Sequence, residues 1–128
     1  MGSNYASFGA NDSIIPDNLF AGQVQKAVGG TETIVGDGST LKRGTVLGLI
    51  TASGKLCKVN SANSDGSQTP YAVLAEDVAA TAGGVFGAVY YSGEFDVNSL
   101  VFGGTDTYAT HRVAARKLAM FFRNAVVK

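Results

Sequence analysis

The chain is poor in the residues that most often carry chemistry. Its 128 positions hold one cysteine, Cys57, and one histidine, His111. A single cysteine excludes an intrachain disulfide and a cysteine-rich metal centre. Charged residues make up 16% of the chain and cancel to a formal net charge of zero, which disfavours a general binder of nucleic acid or of an anionic membrane. No apolar run approaches the span of a bilayer, and the N-terminus lacks the basic start and apolar stretch of a signal peptide. These absences fit synthesis in a reducing cytoplasm. Prolines number two against 17 glycines, so the chain is expected to turn often and to bring backbone segments close together. With 45% hydrophobic residues it has the balance of a folded chain, and its length suits one domain with a real core.

Three textures divide the sequence. Residues 1–18, MGSNYASFGANDSIIPDN, are polar and glycine-bearing, with isolated apolar points at Tyr5, Phe8, Ile14 and Ile15 followed by Pro16. No period of 2 or 3.6 is sustained, so this segment reads as an arm, able to reach roughly 60 Å when fully extended. Residues 19–128 are expected to form one β-rich domain. Within it Phe20–Gln25 is mixed, and Thr31–Val35 is β-branched and ends on the turn Gly36-Asp37-Gly38. Thr45–Thr51 and Lys55–Asn60 flank Ala52-Ser53-Gly54, which is a hairpin signal. Residues 61–69 are polar and turn-forming. Tyr71–Ala75 and the long Val85–Phe95 complete a series of strands at regular intervals, pointing to a small barrel or sandwich.

The C-terminal region predicts a helix from about Tyr108 to Phe122, capped by Asp106 or Thr107. At helical spacing Ala114, Leu118, Phe121, Phe122 and Ala125 share one face, while Arg112, Arg116 and Arg123 share another. Ala125-Val126-Val127 would close the domain as a short strand. From Thr107 onward there are five basic residues and no acid, whereas the rest of the chain has ten acids and five bases. This polarity has two readings. It is a solvated face that complements the helix C-terminus, or a patch, centred on Arg112 and Arg116, that contacts a sister subunit or a target.

No arrangement of side chains meets the demands of a catalyst. His111 has no ligand spacing around it and reads as a satisfied or solvated side chain. Cys57 reads as a small hydrophobe of a strand, with only Lys55 and Lys58 as charged neighbours. Glu76 and Asp77 are adjacent and would point to opposite sides of an extended chain, which suits a loop better than shared acid–base work. The stretch from Gly36 to Gly44 lacks the residue order of a phosphate-binding loop and leads into a strand, so turns explain its glycines. No catalytic, cofactor or metal site is expected, and no small-molecule substrate.

One pattern goes further. The ordered segments Gly44-Thr45-Val46-Leu47-Gly48, Gly54-Lys55-Leu56, Tyr71-Ala72-Val73-Leu74-Ala75-Glu76-Asp77-Val78 and Val89-Tyr90-Tyr91-Ser92-Gly93-Glu94-Phe95-Asp96-Val97-Asn98-Ser99-Leu100 resemble the lambda D-like head decoration proteins of tailed bacteriophages. The likeness covers roughly Leu41 to Leu100, and the closing helix and apolar tail fit it; the leader before Leu41 is longer than in short members of the family. The resemblance implies a mainly β, β-clip-like small open barrel or sandwich with one C-terminal helix and an extended N-terminal arm. It also implies a homotrimer on the outer surface of the expanded head at three-fold sites, bound to the major capsid protein and stabilising the shell. The chain would thus be made in the host cytoplasm and end on the virion, without a cofactor, nucleic acid or membrane as partner. Tyr5, Phe8, Ile14, Ile15 and Pro16 would anchor the arm to the capsid. Two alternatives are another trimeric phage module, tail-tip or fibre-associated, and a small enzyme on a similar scaffold.

Overall fold

The computed structural model describes Leu19 and residues 27–123. Strands dominate: β1 (Val28–Ile34), β2 (Thr40–Leu41), β3 (Val46–Ile50), β4 (Lys55–Lys58), β5 (Ala72–Leu74), β6 (Val78–Ala79) and β7 (Val85–Asp96). A 3-10 turn (Val97–Ser99), the helix α1 (Tyr108–Arg116) and β8 (Met120–Arg123) follow. The mainly β reading with one C-terminal helix holds. The expected N-terminal arm lies outside the described residues.

Six strands form one sheet in the order β1-β4-β3-β5-β7-β8, and β1 also pairs with β7. That extra pairing curls five strands into a small barrel. Closure is uneven. β1 runs antiparallel to β7 from Val28↔Ser92 to Ile34↔Val85, but meets β4 at the single parallel pair Ile34↔Leu56. The hairpin expected around Ala52-Ser53-Gly54 is present as β3–β4, with Leu47↔Lys58 through Ile50↔Lys55 in register. A separate ribbon, β2 with β6, brings Leu41 and Val78 to the Leu47–Leu56–Leu74 cluster.

Alternation along the strands creates two cores, because successive side chains leave opposite faces of a sheet. Leu47, Leu56, Leu74, Val89 and Ile34 point into the barrel, where they pack with Ala72, Leu41 and Ala80. Their neighbours Val46 and Val73 face outward into a second cluster with Leu19, Val59, Phe95, Ala115, Met120 and Phe122. Burying each fully enclosed Leu, Ile or Phe contributes about 1.5–3 kcal/mol. The two cores stand back to back on shared strands.

β7 is the spine of this arrangement. Its first half pairs with β1 and β5, and its last residues, Gly93–Asp96, pair in parallel with β8. A bulge at Tyr91 separates the halves, since Gly29 faces Tyr90 while Val28 faces Ser92. The bulge turns the Tyr91 ring over Gly30, where a Cβ would lie 2.5 Å from the ring. The phenol donates to Glu32, and the Tyr71 ring meets it edge-on at 6.1 Å. The glycine is thus the space the tyrosine fills.

The C-terminal region departs from its expected form. α1 stops at Arg116 rather than Phe122; Lys117 caps it and Ala119 adopts a left-handed φ of 60° that reverses the chain. Met120–Arg123 is then a strand, with Met120 and Phe122 buried and Arg123 exposed. Of the expected helical face, Ala114 alone lies in the helix, Leu118 follows it, Phe121 and Phe122 are in the strand, and Ala125 lies outside the described residues; His111 and Ala115 are the buried helix residues. The reason is tertiary. Apolar residues at 118, 121 and 122 satisfy a helical spacing, but as a strand Met120 and Phe122 reach the second core while their backbone pairs with β7. The final strand expected at Ala125-Val126-Val127 lies outside the described residues.

Candidate functional site

The chemistry-bearing side chains serve the fold. His111 is buried at 3% exposure, with Nε2 2.7 Å from Asp106 Oδ2. Asp106 also accepts from the Ser61 hydroxyl at 2.6 Å and from the Ser61 backbone N–H at 2.7 Å. These hydrogen bonds, from Ser61 first and then His111, hold the Asp106 carboxyl below its ordinary range. Phe102 stacks on the imidazole at 5.7 Å and 13°, and meets Phe122 edge-on. Serine, aspartate and histidine therefore meet, but in an order that disables them as a hydrolytic triad. A nucleophilic serine needs the imidazole on its hydroxyl. Here the hydroxyl donates to the carboxylate, and the three residues clasp the loop after β4 to the start of α1.

Other polar residues are likewise committed. Glu76 accepts from the Ala88 N–H at 2.9 Å, while Asp77 accepts from the Arg43 N–H at 2.7 Å and pairs with Lys42 at 3.6 Å. The two acids have separate partners: Glu76 engages the backbone of β7, and Asp77 the Lys42–Arg43 turn. The Gly36 and Gly38 N–H groups donate to the carbonyls of Thr81 and Ala80, leaving no amide cradle for a phosphate. Asp37 closes its own turn by accepting from the Ser39 hydroxyl and N–H, which also lowers its pKa. Cys57 is half-buried on β4 opposite Gly48. Among the described residues no group of three or more His, Cys, Asp or Glu is placed to hold a metal ion.

The exposed features are surface ones. The N-cap Thr107 is extended, and its N–H donates to the Thr110 hydroxyl at 3.1 Å. From this start α1 buries only His111 and Ala115, one turn apart, against the second core. Its outer face presents Arg112, Arg116 and, at the C-cap, Lys117. Among the described residues no side-chain ion pair engages these three. Between them Val113 is 65% exposed, with Tyr108 and Leu118 also open to solvent. Arg123, placed with Arg112 and Arg116 by helical spacing, sits instead on β8, where it donates to the buried Glu94 at 2.5 Å. At the far end of β7, Phe86 is 79% exposed.

Leu19 is the one described residue before Ala27. It is 2% exposed in the second core, and its carbonyl accepts from the Asp96 N–H at 2.6 Å. Tyr5, Phe8, Ile14, Ile15 and Pro16, expected to anchor an arm, lie outside the described residues. The Ser61–Asp106–His111 clasp was not foreseen as a unit. Asp106 and His111 straddle the helix start, which hints at their contact, but nothing local announces Ser61.

Among the described residues the buried polar groups engage the barrel's own backbone and loops, while a basic helix face and an exposed aromatic point outward from a helix-backed β-barrel. A family model described as bacteriophage lambda head decoration protein D matches residues 16–126. The chain belongs to that family. It is accordingly a structural phage protein with a head decoration role, bound to the phage capsid in the virion. No curated protein matches it.

Proposed function

We propose that the chain is a cement protein, binding as a trimer to the outer surface of the expanded head at three-fold and quasi-three-fold positions and thereby stabilising the shell. The observation that carries this reading is the family match across residues 16–126, nearly the whole chain. Its partner would be the major capsid protein, met after synthesis in the host cytoplasm. A chain of zero net charge has little general pull on nucleic acid, in keeping with a protein partner.

In this reading residues 1–18 grip and residues 19–128 form the body. An extended, polar arm can add its backbone to a sheet edge on the capsid protein, with Tyr5, Phe8 and the Ile14-Ile15-Pro16 cluster as side-chain anchors. Ordering such a segment costs conformational entropy, so one arm alone binds weakly. Three arms on one trimer raise avidity by roughly 10²–10⁴-fold when all can engage together. A ligand that recognises only the expanded shell shifts the shell toward that state and stabilises it by linkage. No chemical step is needed.

The test is to add purified protein to expanded heads of its phage that lack decoration and to image them. Added density at the three-fold positions is expected, with three copies per site. Saturable binding elsewhere, such as at the tail or a vertex, would overturn the reading.

A further inference from the structure

We propose that the outer face of α1, formed by Arg112, Val113, Arg116 and Lys117, is the part of the body that meets the shell, and that it docks on an acidic patch of the capsid protein beside the arm's own contact. This rests on the decoration reading and adds to it the face and the chemistry of the partner. Three observations support it.

The first is charge. Described residues before Thr107 carry eight acids and four bases, and those from Thr107 onward carry four bases and no acid. Of those four, Arg123 is tied to Glu94, while Arg112, Arg116 and Lys117 have no ion-pair partner among the described residues. Cations left unpaired at a surface complement a surface of opposite sign and steer it into register. The second is the mixture of side chains. Val113, 65% exposed, lies among those cations, giving an apolar point with a charged rim, the usual anatomy of a protein-binding patch. The third is where the leader begins. Leu19 is buried in the same core as Ala115, the inward residue of α1, and as Phe122 of β8. Leu19, next in sequence to the proposed arm, is therefore held in the layer that carries α1, so the proposed arm and the basic face would address one partner together.

The same geometry gives the molecule a polarity. α1 packs on β8, which pairs with Gly93–Asp96 at one end of β7. Phe86 stands at the other end, up to about 33 Å away at ~3.3 Å per residue. The Phe86 end points away from the shell.

The test uses the full-length chain and expanded heads lacking decoration, with binding measured across ionic strength. The variants are Arg112→Glu with Arg116→Glu, Arg112→Lys with Arg116→Lys, and Phe86→Ser; thermal unfolding and free solution mass are recorded for each. Both arginines are exposed, so the pair of reversals should fold and unfold like the parent. Binding by the parent should weaken with salt. The glutamate pair should lose at least about tenfold in affinity at low salt and show a flatter salt dependence, because rim charges act through long-range attraction. The lysine pair should stay within about threefold, since charge and not planar geometry is at work. Phe86→Ser should bind as the parent does. Equal affinity and salt dependence for the glutamate pair would overturn the proposal. So would a changed free oligomeric mass with shell affinity retained, which would make the face a contact between copies. Loss of binding in Phe86→Ser alone would reverse the polarity. If the parent itself does not bind heads, the decoration reading falls with it.

Discussion

Gly44 sits where three segments cross, and replacing it with alanine tests the packing around the second core. Its φ is +99°, and a Cβ there would lie 2.2 Å from the Ser99 carbonyl oxygen. The left-handed conformation costs an L-residue about 1–2 kcal/mol. The contact is about 1 Å too short and is with backbone, so the turn at Gly44 and the 3-10 turn ending at Ser99 must separate. Separation threatens the Val101 N–H bond to the Gly44 carbonyl, 3.1 Å, and the Val46 N–H bond to the Val101 carbonyl, 2.9 Å. Each is worth about 1 kcal/mol. Alanine restricts the unfolded chain and returns about 0.4–1 kcal/mol. The net expectation for Gly44→Ala is a loss of about 3 kcal/mol. Two companions calibrate it. Gly54, at φ +73° with nothing within 4 Å of its Cβ position, should lose only the conformational part, about 1 kcal/mol. Gly83 has open space and an ordinary φ, so alanine there should be neutral or stabilising by up to about 1 kcal/mol. Urea unfolding followed by far-ultraviolet circular dichroism gives all three. A Gly44→Ala loss within 0.5 kcal/mol or so of the Gly54→Ala loss would refute the argument, because it would mean the Ser99 contact relaxes without cost.

Two further predictions concern titrating groups. Hydrogen bonding to Glu32, followed by burial, pushes the Tyr91 phenol up to about 12, so an ultraviolet titration should show a phenol ionising well above the ordinary tyrosine value. Glu32→Gln should bring it down; an unchanged titration would show that the carboxylate is not its partner. A phenol whose pKa is raised by folding stabilises the native state below about pH 10, and that contribution is lost as pH climbs toward 12. Asp106 has the opposite sign. Its lowered pKa contributes stability above the ordinary carboxylate range that is lost as pH falls through it. Asp106→Asn should therefore be less stable than the parent at neutral pH, and the gap should narrow in acid. A gap independent of pH would deny the clasp its carboxylate.

Much of the barrel was legible in the sequence because its signals are local. β-branched and apolar runs between glycine turns marked β1, β3, β4, β5 and β7, and Ala52-Ser53-Gly54 marked a hairpin. Pairings between distant segments left no such trace. The bulge that lays Tyr91 over Gly30, and the single Ile34↔Leu56 pair that closes the barrel, depend on contacts no window of sequence contains. The end of the helix was misplaced for a related reason. Leu118, Phe121 and Phe122 suit a helical period while Met120 and Phe122 suit a period of two, and only the edge of β7 at Gly93–Asp96 decides for a strand. The basic run from Thr107 was visible as composition, but that Arg112 and Arg116 have no ion-pair partner among the described residues while Arg123 is engaged by Glu94 required the fold.

The proposed attachment to the phage head combines a gripping leader with a folded body. The most direct measurement is the mass of undecorated expanded heads after incubation with the full chain or with a chain lacking residues 1–18, each verified as folded by circular dichroism. The full chain is expected to add mass saturably, and the shortened chain to add little at the same concentration. Equal mass gain from a folded chain without its leader would contradict the gripping role, and no gain from the full chain would contradict attachment itself.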